Sequence, residues 1–254
     1  MKLVSLNLWA GREFDALMQY VSKQSSDTNI FCFQEVFDTP TSITSVSEHY
    51  RANLFAELEQ VLPNHTGYFA MAQSGGGFDG PVDFDISWGL AMFIRNDVQV
   101  DLVDDLFVYG YQNSFPTGSD RPARNLQYAV VEVGGEKYTI GHVHGLWNGK
   151  GKTDTPDRLM QSKKIKALFD QAEGKKILCG DFNLLHDTKS VGILEDGLVN
   201  LISVHGITTT RSSLYTKPVR FADYTFVSSD VDVERFTIPQ IDVSDHLPME
   251  LRFS

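Results

Sequence analysis

The sequence predicts an α/β fold in one domain spanning 1–254, with two mixed β-sheets packed on each other and helices outside. Three observations predict it. Strand-type runs alternate with helix-period stretches toward both ends, and the middle of the chain is almost wholly β-type. No linker, repeat or composition break divides the 254 residues, and 42% apolar with 22% charged residues is an ordinary globular balance.

The first residues alternate toward a strand, and Phe14, Leu17, Met18 and Val21 follow at helix spacing. Residues 29–36 return to aromatic and β-branched types and end near Glu35, which completes a βαβ-like opening. Residues 39–47 are rich in Ser and Thr and read as a loop; Tyr50, Leu54, Leu58 and Leu62 then mark a second helix face. Residues 66–72 and 88–94 read as paired strands. The glycine-rich segment 75–81 between them is long for a plain hairpin and reads as a flap over a site.

Strands are expected at 98–109, 126–133 and 137–143, with Gly134-Gly135 as the turn between the last two. A helix follows, with Asp154 as N-cap, Pro156 in the first turn, an inner face of Ile165, Leu168, Phe169 and Ala172, and Gly174 as the stop. Strands at 175–179, 224–228, 231–238 and 249–253 complete the pattern.

Twenty-two basic against 33 acidic residues give a formal charge of -11, which argues against a polybasic nucleic-acid surface. A local strip from Arg121, Arg124, Lys150 or Lys152 would be hidden in that total. Nucleic acid therefore ranks below small phosphorylated substrates without being excluded. Cys32 and Cys179 each sit in an apolar run and read as buried strand thiols, without the partners or spacing of a zinc site or disulfide framework. No run approaches the roughly 18 residues of a membrane span, and no signal-peptide core or lipidation motif is present, so a cytoplasmic location is expected. Oligomeric state is not legible.

The chemistry lies at strand ends. Asn7, Glu35, His144, Asp181, Asn183, Asp223, Asp245 and His246 all fall at or just beyond the ends of apolar runs, where rigid backbone can present side chains into a common mouth. Asn7 and Glu35 suit a hard cation such as Mg²⁺, which takes oxygen ligands and keeps several waters. Asp181 is the candidate base for an attacking water, and Asn183 a donor to the water or the transition state. His246, oriented and raised in pKa by Asp223, is expected to contact phosphoryl oxygens as imidazolium, with His144 as a second donor.

Six segments occur in order along nearly the whole chain: Leu6-Asn7-Leu8-Trp9, Gln34-Glu35, His142-Val143-His144, Gly180-Asp181-Phe182-Asn183, Asp223-Tyr224-Thr225-Phe226 and Ser244-Asp245-His246-Leu247-Pro248. Together they resemble the endonuclease/exonuclease/phosphatase superfamily. The resemblance implies a deoxyribonuclease I-like four-layer α/β sandwich and a Mg²⁺-dependent phosphoric ester hydrolase, with Mn²⁺ able to substitute. It implies a metal site at Asn7 and Glu35, water activation and transition-state binding at Asp181 and Asn183, a terminal pair of Asp245, taken as a further metal ligand, and His246, and Asp223 supporting the histidine. His144 matches a catalytic histidine that abasic-site enzymes replace by tyrosine, and Trp9 stands where those enzymes carry an additional carboxylate. Arg124 resembles an arginine that precedes the central strand in the family.

Each residue also has an ordinary reading. A Gly-Asp-X-Asn string alone is commonly a turn, Glu35 alone a surface carboxylate, and Asn7 alone a strand amide that satisfies neighbouring backbone. The joint set overrides these readings. His142 is expected to face away from His144 and to be structural; Trp147 and Asn148 follow closely enough to line the mouth, with Asn148 as a substrate contact, although a packed surface Trp is an equal reading. The competing function classes are a DNA or RNA nuclease and a catalytically silent phosphate-binding member.

Overall fold

The computed structural model describes residues 1–114, 122–149 and 151–254. In chain order its strands are β1 (Lys2–Asn7), β2 (Ile30–Asp38), β3 (Ser45–Ser47), β4 (Tyr50–Arg51), β5 (His65–Ser74), β6 (Gly76–Gly77), β7 (Gly80–Pro81), β8 (Ser87–Arg95), β9 (Gln99–Tyr109), β10 (Arg124–Val133), β11 (Glu136–His144), β12 (Lys175–Asp181), β13 (Val199–Asn200), β14 (Asp223–Val227), β15 (Val233–Thr237) and β16 (Met249–Phe253). The helices are α1 (Phe14–Ser25), α2 (Leu54–Val61), α3 (Pro156–Gln171), α4 (Lys189–Glu195) and α5 (Leu201–Val204).

Two six-stranded mixed sheets form the sandwich, one ordered β15-β16-β1-β2-β8-β5 and the other β13-β14-β12-β11-β10-β9. The predicted α/β sandwich is the observed architecture. Strand alternation builds the layers. Leu3 of β1 and Ile30 and Cys32 of β2 join the core between the sheets, whereas Val4, Leu6, Phe31 and Phe33 pack outward with Leu17 and Val21 of α1 and Leu54 and Leu58 of α2. On the opposite side Ile165 and Phe169 of α3 cover the second sheet, where a Cβ on Gly141 would meet the Phe169 ring at 2.9 Å. Parallel pairing of β1 with β2 and of β11 with β12 brings their C-terminal ends to the same rim.

Local chemistry corrects two expectations. Tyr50 lies in β4 and the second helix begins at Leu54, so the helix face is shorter than its spacing suggested. Thr155, not Asp154, caps α3 by accepting from Arg158 N, with Pro156 first in the helix. Asp154 instead serves α4, accepting from the backbone of Lys189 at 2.8 Å and of Ser190 at 2.9 Å. Both cysteines are fully buried strand thiols, as expected; burial and the neighbouring Cys179 raise the Cys32 thiol above its ordinary value. Among the described residues, no helix is long and apolar enough to cross a membrane.

Candidate active site

The site forms at the rim where β1, β2, β11 and β12 end and β14 begins. Period-two alternation carries Asn7, His144, Asp181 and Asp223 to the face between the sheets. Glu35 requires more, because two-residue alternation places it with Phe31 and Phe33 on the outer, helix-covered face. A β-bulge between Gln34 and Val36, with Glu35 at φ 59°, turns its side chain to the rim instead. Gly180, at φ 123°, lets β12 lie against β11 just before Asp181; a Cβ there would sit 2.2 Å from the Val143 carbonyl oxygen.

Asp181 is the hub. Its Oδ1 accepts from Asn183 N at 2.8 Å, and its Oδ2 accepts from Asn7 Nδ2 at 3.2 Å. The same oxygen lies 3.6 Å from His246 Nε2, 3.8 Å from His144 Nε2 and 3.9 Å from Arg211 Nη2. Asn7 Nδ2 also donates to Glu35 Oε1 at 3.2 Å, while its own Oδ1 accepts from Trp9 N at 3.0 Å. Asn7 therefore shows its amino group to both carboxylates. Asn183 lines the cleft, with one amide hydrogen engaged by the Gly145 carbonyl at 3.2 Å.

His246 Nδ1 sits 2.7 Å from Asp223 Oδ1, and Thr210 Oγ1 donates to the other Asp223 oxygen at 2.7 Å, so the imidazole is held in a fixed plane. Asp223 lies beside the ring, and the pKa of His246 moves opposite to the expected direction. Burial, and then the charge of Arg211, push His246 down to about 3, because Asp181 and Asp245 do not offset the loss of water. Burial also lowers His144 well below the usual histidine value, reinforced by Arg124, His246 and Arg211. Burial thus biases both rings toward the neutral form in the free protein. His142 corrects the facing argument too. Residues two apart share a strand face, so it points between the sheets like His144, bonding to Gln34 Nε2 at 3.1 Å and Gln127 Oε1 at 2.9 Å.

Arg211 is the residue that sequence reading missed. Backbone bonds tie Ser212 N to Asp245 O (3.2 Å) and Leu247 N to Thr210 O (2.9 Å), which lays the 210–212 segment against the Ser-Asp-His-Leu-Pro motif. Arg211 Nη1 then donates to Asp245 Oδ2 at 2.7 Å. The only sequence signal was a β-branched run, Thr208-Thr209-Thr210, ahead of an unremarked arginine.

The cleft has a volume of about 770 Å³. Trp9, Arg124, Trp147, Lys152 and Tyr215 line it with the polar centre, and Arg124 stacks on Trp88 at 4.8 Å. Asn148 is placed near Thr155, to which its amide donates at 3.5 Å. Arg121 and Lys150 lie outside the described residues. The glycine-rich segment forms the short β6–β7 hairpin and one cleft wall, with Phe78 edge-on to Phe37 at 5.2 Å and Asp79 accepting from Ser47.

The donor set suits a hard divalent cation. Glu35 is raised to about 7, first by burial and then by the charge of Asp245, and the buried Oδ1 of Asp245 has no hydrogen-bond donor among the described residues. Carboxylates crowded in this way are what a cation relieves. Asp181, Asp223 and His246 also lie close enough to share an ion. Asp223 and His246, however, are already bonded to each other, which leaves the all-oxygen group of Glu35 and Asp245 as the better fit.

Comparison with known proteins agrees with this architecture. The model of the Endonuclease/Exonuclease/phosphatase family matches residues 4–246. No curated protein matches the sequence. Among solved structures, a mannosyl-6-phosphatase of Bacteroides thetaiotaomicron VPI-5482 superposes with TM-score 0.72 at 17% identity, covering 100% of this chain and 99% of that one. A family protein from Leptotrichia buccalis C-1013-b gives TM-score 0.72 at 19% identity, with the same coverage. TDP2 of D. rerio, complexed with a single-strand DNA product, gives 0.68 at 16% identity, covering 100% and 98%. At such identities the likeness establishes the fold.

Proposed function

The chain belongs to the endonuclease/exonuclease/phosphatase family, and on that premise we propose that it is a divalent-metal-dependent phosphoesterase acting on a small phosphorylated molecule by in-line attack of water. The observation that carries the reading is the convergence on Asp181 Oδ2 of Asn7, His144, Arg211 and His246, drawn from four separate stretches of chain. Glu35 and Asp245 would hold Mg²⁺ or Mn²⁺, with Asn7 orienting Glu35 or turning its amide oxygen to the ion. When bound, the ion neutralises charge developing on the phosphoryl group.

Asp181, fixed by Asn183 N, accepts the proton of the attacking water. An incoming phosphate adds a negative field that favours the imidazolium, so His246, braced by Asp223, donates from Nε2 to a phosphoryl oxygen. His144 and the second amide hydrogen of Asn183 supply further donors. The formal charge of -11 favours small substrates over long duplex nucleic acid. Turnover of bis-p-nitrophenyl phosphate with and without Mg²⁺ or Mn²⁺ tests the reading. Asp181→Asn and His246→Ala should each lose at least about a hundredfold in kcat. Equal rates in the three proteins, or no effect of metal, overturn it.

A further inference from the structure

One buried charge has no part in this chemistry. Lys152 lines the cleft and is only 5% exposed, and its Nζ donates to the Phe221 carbonyl. Among the described residues, no carboxylate lies at salt-bridge distance from it. Lys2, buried to the same degree, has two such partners, Asp27 at 3.5 Å and Glu250 at 3.0 Å. An ammonium removed from water needs a counter-charge; Asp181, Asp223 and Asp245 act on Lys152 only at longer range, and among the described residues one of its three hydrogens is engaged.

The surroundings are built to keep it there. The Tyr215 ring lies 5.5 Å from Lys152 Nζ and 4.4 Å from Arg211 Cζ, so one ring serves two cations. Arg220 fixes the segment carrying that ring, donating to the carbonyls of Tyr215 at 3.0 Å, Arg211 at 2.8 Å and Ser212 at 2.6 Å. Burial, and then Arg211, bring the lysine down to about 8, so it stays protonated at neutral pH.

We propose that Lys152 pairs with the extra anionic oxygen of a terminal phosphate and makes the site selective for phosphomonoesters over phosphodiesters. The inference rests on the phosphoesterase reading. Lys152 is thus a buried cation of the cleft wall, held next to Arg211 and open to an incoming anion. A monoester dianion carries one charge and one anionic oxygen more than a diester, and a further cation in the cleft wall favours the monoester for that reason.

The test compares wild type, Lys152→Met and Lys152→Gln on p-nitrophenyl phosphate and bis-p-nitrophenyl phosphate in Mn²⁺, with melting temperatures measured in a titration of inorganic phosphate. Both variants should lose at least about tenfold in kcat/KM on the monoester, mainly through KM, and stay within about twofold on the diester. Stabilisation by phosphate should disappear, and Lys152→Met without phosphate should melt no lower than wild type. Equal losses on both esters, an unchanged phosphate effect, or a deficit confined to Lys152→Met overturn the proposal, the last because Gln alone keeps a donor for Phe221. A wild type inactive on both esters yet stabilised by phosphate through Lys152 removes the hydrolase reading and supports the anion site. No stabilisation of wild type by phosphate removes the site.

Discussion

Glu35 shows how much one residue's backbone decides. Its carboxylate type and its place after an apolar run were legible in the sequence, but its direction was not, since simple alternation aims it at the helices. The bulge and the left-handed φ of 59° supply the turn, and nothing in Gln34-Glu35-Val36 announces them. Such a conformation is costly for a glutamate, and Asn7 Nδ2 at 3.2 Å is the bond that holds its head. Glu35→Gln is expected to raise the Mn²⁺ concentration for half-maximal activity at least about tenfold. The metal-free variant should melt higher, because a buried carboxylate repelled by Asp245 and Asp181 has become neutral. Activity titrations against Mn²⁺ and thermal scans in chelator measure the two effects; unchanged metal dependence removes Glu35 from the ion's ligands.

At the level of elements, the strands were readable because β-branched and aromatic runs are strong local signals, and the short α4 and α5 were not, because they are set by caps. Residues 189–195 carry little helical periodicity, and α4 forms because Thr188 caps it from inside and Asp154, thirty-five residues earlier, accepts from its first backbone amides. That long-range cap also anchors the segment leading into α3, next to Lys152. Asp154→Ala should cost about 1 to 2 kcal/mol, equivalent to a melting temperature lower by roughly 2–8 °C, with kcat little changed. A variant as stable as wild type would show that water replaces the cap. The Arg211 segment was illegible for the same reason: its contribution comes from pairing with residues 245–247 rather than from any motif of its own.

On the scale of the whole molecule, the two sheets are joined through their interior by a polar bridge as well as by apolar packing. Gln34 of β2 bonds His142 of β11, His142 bonds Gln127 of β10, and Gln127 Nε2 donates to the Tyr68 carbonyl of β5 at 2.9 Å, returning to the first sheet. Neutral imidazole satisfies both neighbours, accepting at Nδ1 and donating from Nε2; imidazolium would turn a donor against the Gln34 amide. Burial accordingly lowers His142 from 6.5 to about 3. The sign follows from proton counting. Between those values the unfolded chain binds a proton that the folded chain does not, so stability is complete above about pH 6.5 and falls as pH drops toward 3. Each pH unit in that window costs up to about 1.4 kcal/mol at this one site. In His142→Gln, which keeps a donor and an acceptor but no titration, the stability difference from wild type should shift in the variant's favour by about 2 to 3 kcal/mol between pH 7 and pH 4.5. Urea melts at the two pH values read that shift directly. A difference independent of pH would mean that the sheets part locally in acid and let the imidazole charge without unfolding, which would make the bridge a hinge rather than a clamp.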